Sequence, residues 1–248
     1  KEIAESFCKR PAPLNLKVFN WGPERSAQRN FGVEKSNGEY FLQLDADQTL
    51  RNDVVTKCVE KIKNFRKNKP EKFKDIALQI PEVIVGGKNF FTKLRNYEKQ
   101  FYTGTVIDCV RFIPVKIFRE IGGFDLSMTG PEDWDLDKRI RQICKLDVID
   151  SYMEHDEGSV TFVKFLKKKW YYSADFGKYI DKWGKDDIDT KKRFGFYYRY
   201  FEVFFENGKW KYVFKNPLLF CCLIFTKIFV GLILILRISN HKLQKSNA

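Results

Sequence analysis

Residues 38–50 read GEYFLQLDADQTL, and no other stretch restricts the possible folds as much. Tyr40, Phe41, Leu42 and Leu44 form a short apolar run, with a glycine ahead and two carboxylates behind. Such a run suits a strand buried on both faces of a parallel sheet. It stops abruptly at Asp45-Ala46-Asp47, where alternation along an extended chain would point both carboxylates to one side. Open α/β sheets bind ligands beyond the carboxyl ends of their strands. Paired acidic oxygens there suit a hard divalent cation, Mg²⁺ or Mn²⁺, which also holds substrate phosphates. The competing reading is an acidic turn in which Asp47 caps the next helix. A bare D-x-D does not choose between the two.

The flanking segments predict an α/β chain. Residues 14–19 (LNLKVF) alternate like a strand, and residues 20–23 form a loop. Residues 24–35 read as a helix with Ser26 at its N-cap and Arg25, Gln28, Arg29 and Asn30 near its start. A helical N-terminus with arginines suits a diphosphate; a solvated basic face is the alternative. Val55, Cys58, Val59 and Ile62 recur at helical spacing after Asn52 or Asp53, and the lysine-rich residues 61–74 are the exposed end and a loop. Residues 75–80 and 82–85 read as short strands, 88–103 as a helical or mobile excursion, and 106–113 as another strand. Pro114 then starts a helix that ends at Gly122-Gly123.

The second informative patch is GGFDLSMTGPEDWDLDKRIRQI. Pro131 suits a first helical turn capped by Thr129 or Gly130, with Leu136, Ile140 and Ile143 as the buried stripe. Glu132 and Asp133 in that turn either complement the helix dipole, worth about 0.3–1 kcal/mol, or supply a general base. Residues 146–149 are a further strand. His155 in MEHDEGS is either a satisfied surface or core histidine or, flanked by acids, a third metal ligand.

The formal charge of +13 calls for an acidic partner: nucleic acid, an anionic membrane surface or a phosphorylated substrate. Nucleic acid is the weakest of these. Its bases would follow a groove, whereas these concentrate in the aromatic segment after His155, beside an apolar tail. That composition suits helices lying at an anionic lipid surface. The tail, residues 217–236 (PLLFCCLIFTKIFVGLILIL), is long enough to cross a bilayer core and carries one charge, Lys227. A lysine at mid-span costs about 2.5–3.5 kcal/mol, which the surrounding Leu, Ile and Phe offset. A spanning helix, an in-plane helix and a soluble core helix all remain open, and bases on both sides leave orientation unread. The six cysteines (Cys8, Cys58, Cys109, Cys144, Cys221, Cys222) show no C-x-x-C and no zinc spacing, so buried thiols in a reducing compartment are expected.

In order, a basic G-P-E-R-S-A-Q-R-N segment, a strand ending in D-A-D, then G-G-F-D, P-E-D-W-D and H-D-E-G resemble the family 2 glycosyltransferases of GT-A fold. The likeness is to the membrane-associated branch and runs over residues 1–172. It implies a Rossmann-like mixed sheet flanked by helices, followed by the C-terminal hydrophobic helix. The expected layout is a catalytic domain over residues 1–160, basic aromatic membrane-proximal helices over 161–216, and a hydrophobic helix with a basic tail over 217–248. By the same resemblance, Asp45 and Asp47 hold the divalent ion and the donor's ribose and diphosphate. Arg25, Gln28 and Arg29 face the donor nucleotide, and His155 lies by the metal. Asp133, with Glu132, is the base that deprotonates the acceptor hydroxyl, so the sugar transfers with inversion. Gly123, Phe124 and Asp125 shape the acceptor side, where Trp134 would stack on a sugar. The implied partners are a nucleotide-sugar donor, a lipid-linked or polysaccharide acceptor and an anionic membrane, with the catalytic domain cytoplasmic. A nucleotidyltransferase, or an inactive membrane-tethered binding protein of the same fold, is the alternative. One departure concerns the opening: residues 1–7 read as a helix, and the family's first strand, with its nucleobase-gripping acids, is expected ahead of it.

Overall fold

The computed structural model describes residues 16–246. Its main sheet has four strands in the order β1 (Tyr40–Leu42), β5 (Val110–Pro114), β3 (Asp75–Gln79), β6 (Cys144–Val148). Only β3 and β6 run parallel; β5 is antiparallel to both its neighbours. A second, three-stranded sheet sets β7 (Met153–Asp156) between β2 (Gln48–Leu50) and β4 (Glu82–Val85). The expected mixed α/β architecture with one C-terminal apolar helix is what the chain adopts.

Helices cover both faces of the main sheet. Alternation along β3 sends Ala77 to one side and Ile76 and Leu78 to the other. On the first side pack Val33 of α1 (Arg25–Glu34), Val115 and Phe118 of α4 (Val115–Glu120), and Leu136 and Ile140 of α5 (Glu132–Arg141). On the second side lies α2 (Val54–Lys67), with Val54, Cys58, Ile62 and Phe65 buried. The predicted stripe was right at Cys58 and Ile62 but wrong at Val55 and Val59, which are exposed. Spacings of four and three from Val54 make the same helix with its face rotated, and only the sheet could choose between them.

Several local expectations are corrected. β1 is short, half-buried and, among the described residues, an edge strand paired antiparallel with β5; Leu44 beyond it is exposed. Asp45–Gln48 is a turn rather than extended chain: Gln48 N donates to Asp45 O at 3.0 Å, and Asp45 N donates to Gln48 Oε1 at 2.9 Å. Asp45 pairs with Arg29, whereas Asp47 faces His155. Glu24, not Ser26, caps α1, accepting from Ala27 N at 2.7 Å, while Ser26 is buried within the first turn. Residues 16–19 carry no strand, and residues 1–7 lie outside the described part. Pro114 ends β5 before it caps α4. Cys58 and Cys144 are buried free thiols, whereas Cys221 is exposed.

The remaining helices are α3 (Phe90–Tyr102), α6 (Phe162–Tyr172), α7 (Phe176–Trp183), α8 (Ile188–Phe194), α9 (Phe196–Tyr200), α10 (Trp210–Lys215) and α11 (Pro217–Ser246). Part of the basic segment is interior rather than surface. Arg193 of α8 is fully buried and donates to Val106 O (2.8 Å) and Trp134 O (2.7 Å) while pairing with Asp137 (3.2 Å). These contacts pin α5 from behind. Residues 217–241 of α11 are apolar and long enough to cross a membrane. The helix nevertheless lies along the domain: Phe229 meets Phe162, Arg237 stacks on Trp170 at 3.9 Å, and His241 pairs with Asp181 at 2.8 Å.

Candidate active site

The register of the small sheet positions one end of the site. β2 starts immediately after the D-A-D turn and pairs antiparallel with β7, setting Gln48 opposite His155. Asp47 is thereby carried beside the histidine, with Oδ2 at 3.1 Å from His155 Nε2. β4 lies on the other side of β7, and its first residue, Glu82, bonds His155 Nδ1. That bond, against the opposing effect of burial, raises the His155 pKa, with Glu82 and Asp47 adding their charges. Lys99 of α3 braces Glu82 at 2.7 Å. Glu82 is held ionised well below its usual range: burial works against its charge, but Lys99, His155 and Arg111 outweigh it.

The helix α1 supplies the other end. Arg29 Nη2 donates to Asp45 Oδ1 at 2.7 Å, and Arg29 Nη1 reaches Asp133 Oδ1 at 3.3 Å. One guanidinium thus bridges the strand-borne and helix-borne acidic patches. Turned oxygen-first, the Gln43 amide accepts from the same guanidinium at 3.1 and 3.2 Å and fixes it from below. Arg111, the second residue of β5, lies 3.9 Å from both Asp45 and Glu82. Burial opposes the Asp45 charge, yet Arg29, Arg111 and Arg25 hold its pKa below the usual carboxylate range. A continuous alternating string results: Asp133, Arg29, Asp45, Arg111, Glu82, His155, Asp47.

Glu132 and Asp133, adjacent in sequence, have different surroundings. Glu132 is fully buried, bonded to Arg25 and to the Gly130 amide. Burial raises its pKa and Asp133 adds to the shift, with Arg25 opposing. It secures the start of α5, whereas Asp133 keeps a quarter of its side chain exposed. Arg25, expected on the donor, is engaged by Glu132, and Gln28 is exposed and donates to Gly22 O at 2.6 Å. Gly123 takes φ +68°, and a Cβ there would lie 2.6 Å from Asn30 Oδ1. Asn30 clamps the next residue from both sides, accepting from Phe124 N (2.8 Å) and donating to Phe124 O (3.0 Å). Phe124 itself is core, and Asp125 closes its own turn on Ser127 and Lys182. Trp134 does not present a free ring: it stacks on Phe176 and donates to Ile107 O at 3.0 Å.

Arg111, Glu82 and Gln43 escaped the sequence reading. Arg111 had left a signal, a charged residue inside the apolar run VIDCVRFI. Glu82 had none, because its place beside His155 comes from pairing between distant strands. Among the described residues, no three His, Cys, Asp or Glu side chains converge as a ligand set. Asp47 and His155 alone fit the edge of a coordination sphere, since two ligands at right angles with bonds near ~2.1 Å lie about 3 Å apart.

Residues 1–122 match the sequence model of Glycosyl transferase family 2. The matched part takes in α1, the D-A-D turn, Glu82 and Arg111, and stops before Glu132. Among solved structures, the crystal structure of S. aureus TarS is similar, with 14% identity and a TM-score of 0.48. The likeness covers 97% of this chain and 46% of that one, so the chain spans less than half of its length. None of the curated proteins matches.

Proposed function

We propose that this chain is an inverting, metal-dependent glycosyltransferase that moves a sugar from a nucleotide-sugar donor to an acceptor at a membrane surface. The observation that carries the reading is the Arg29 bridge, which holds Asp133 in the same cleft as Asp45 and, through Arg111 and Glu82, as Asp47. Asp47 and His155 would hold Mg²⁺ or Mn²⁺, with the donor diphosphate and water filling the other positions. Glu82 behind the ring directs Nε2 outward, as carboxylates commonly do behind ligating histidines. Such an ion, when bound, would neutralise charge on the diphosphate leaving group.

Asp133 accepts the proton from the acceptor hydroxyl as that oxygen bonds to the anomeric carbon. The bond from that carbon to the diphosphate oxygen breaks on the opposite face, and its electron pair leaves with the nucleoside diphosphate. Arg29 orients the base, and Arg29 and Arg111 supply positive charge where the leaving group becomes more negative. Glu132 is sealed against Arg25, so α5 offers one accessible base rather than a pair. That favours single displacement. The helix α11 would lie in the membrane plane, because its contacts at Phe229, Arg237 and His241 all return to one body. Crossing the bilayer would carry the far end away from Trp170 and Asp181.

The test is a screen of nucleotide sugars for Mn²⁺-dependent turnover by the full chain. Asp133→Asn should retain donor binding and lose transfer. Near-normal turnover by that variant would sink the base assignment.

A further inference from the structure

Each carboxylate of the alternating string in the cleft is tied to a cation, and so is the buried one in the charged cluster under α11. There Glu98 accepts from Arg95 and, at 2.7 Å, from the Tyr102 hydroxyl, and Lys227 and Lys169 also act on it. Asp108, two residues before β5, is a different case. Among the described residues it forms no ion pair, and the one hydrogen bond to its side chain comes from the next amide, Cys109 N to Oδ1 at 2.9 Å. Its Oδ2 has no bonded partner among them, and the residue is half-buried rather than sealed in the core.

Anchored neighbours on both sides fix where that carboxylate sits. Ahead of it, Ile107 O accepts from the Trp134 indole at 3.0 Å, which ties the segment to the residue after the base Asp133. Arg193 fastens it again, donating to Val106 O at 2.8 Å and to Trp134 O at 2.7 Å. Beyond it, Arg111 lies 3.9 Å from both Asp45 and Glu82. Residues 107–111 therefore cross the cleft from the base to the end where a diphosphate would sit, with Asp108 and Cys109 between. The local electrostatics agree. Burial leads at Asp108 and lifts its carboxyl to about 6, against the Cys109 amide, Lys99 and Arg111, with Glu82 adding to the rise. Burial leads again at the Cys109 thiol, and Asp133 is foremost among the charges that act on it.

We propose that Asp108 accepts hydrogen bonds from hydroxyl groups of the transferred sugar, and that this sugar is uncharged. Inverting transfer sets the sugar ring between the leaving diphosphate and the base, and residues 107–111 cross that same span. A carboxylate with a free oxygen takes sugar hydroxyls in short, charge-assisted bonds. It also repels a second carboxylate, so a uronate ring is disfavoured in its place. The donor's sugar fits better than the acceptor's, because the cations acting on Asp108, Lys99 and Arg111, belong to the diphosphate end. Trp134 and Arg193 hold the segment before any sugar arrives, which keeps the oxygen in position at little entropic cost. The inference rests on the transferase reading, because it names the sugar class of that enzyme's donor.

The test gives the full chain Mn²⁺ and, in turn, UDP-glucose, UDP-galactose, UDP-N-acetylglucosamine, GDP-mannose and UDP-glucuronate. A neutral sugar should be used best; a preference for UDP-glucuronate would overturn the proposal. Asp108→Asn can keep the bond from Cys109 N while removing the charge. It should lower kcat/KM for the preferred donor by about 10–100-fold, the usual worth of hydrogen bonds to a charged group. Affinity for the free nucleoside diphosphate, UDP or GDP, should not change. A parallel loss of that affinity would mean that Asp108 only shapes the loop, and no loss of kcat/KM would mean that it touches no substrate; either result overturns the proposal. Analogues of the preferred donor that each lack one hydroxyl locate the bond. At least one should cost wild type what Asp108→Asn has already lost, so the two losses do not add. Additive losses for every analogue would overturn the assignment. The ratio of uronate to neutral turnover should rise in the variant whatever its melting temperature, and an unchanged ratio counts against the proposal. Asp133→Asn should keep nucleotide-sugar binding and lose transfer, whereas Asp108→Asn weakens the sugar's share of binding, so failure here is distinguishable from failure of the transferase reading. If wild type uses none of the five donors, that reading fails and takes this one with it.

Discussion

The cleft and the cluster under α11 both concentrate charge, but they handle it differently. In the cleft every carboxylate of the string faces a cation: Asp133 and Asp45 share Arg29, Glu82 has Lys99 and His155, and Asp47 has His155. Under α11 the cations outnumber the carboxylates, and Lys169 and Arg199 rest on aromatic faces instead. Paired charges hold a site in shape before a ligand arrives. Unpaired ones leave part of their desolvation cost uncompensated. The contrast is between a site whose charges are paired and a buried cluster whose cations are paired only in part.

The sharpest way to break this contrast is at the base. Asp133→Asn should cut transfer by about 10²–10⁴-fold, the usual worth of a general base, with donor affinity unchanged in a nucleotide-binding titration. Loss of donor binding in parallel would mean that Asp133 holds shape rather than moves a proton.

Glu98→Gln tests the other cluster. Burial disfavours the Glu98 charge, but Arg95, Lys227 and Lys169 hold its pKa at about 2, down from 4.5. A depressed acid stabilises the fold above its unfolded pKa and loses that contribution as pH falls through the folded value. Removing it should cost about 3–5 kcal/mol at neutral pH, since cations are left buried without their partner. The gap from wild type should close as pH drops from 4.5 toward 2. Denaturant unfolding across that range reads both effects, and a pH-independent gap would contradict the ion-pair account.

Glu82→Gln asks whether the carboxylate behind His155 tunes a ligand. Loss of such a partner usually costs about 10–100-fold in metal affinity, so Mn²⁺-dependent donor binding should weaken by that amount while metal-free binding stays put. The smallest effect is expected at Gly123→Ala. A Cβ at a left-handed φ costs about 1–2 kcal/mol, and here it would also press on Asn30. A thermal melt should show the loss, with catalysis nearly intact if the turn merely supports the acceptor side.

Much of the secondary structure was legible because its signals are local. Apolar runs of strand length at residues 75–79 and 82–85, the glycine stop at 122–123 and the stripe of α5 each depend on neighbours within a turn or two. The errors share a cause. The alternation that would have aligned Asp45 with Asp47 gave way to a turn closed by the Gln48 side chain. Trp134 looked like a sugar platform until Phe176, forty-two residues on, took its face. Lys227 looked like a mid-bilayer liability, yet Tyr102 on α3 receives it. In each case the deciding partner lay far away in the chain.

By itself, the order of residues determined that this chain would build a mixed α/β core, that two acidic patches would end a strand and begin a helix, and that an apolar helix would follow. Periodicity and capping are properties of short segments, so they can be read without coordinates. Only the tertiary structure decided that Arg29 bridges those patches, that strand register sets Asp47 beside His155, and that Arg95, Lys169 and Lys227, from three helices, act on one buried carboxylate, Glu98. Those facts depend on which surfaces meet, and meeting is settled by packing over the whole molecule.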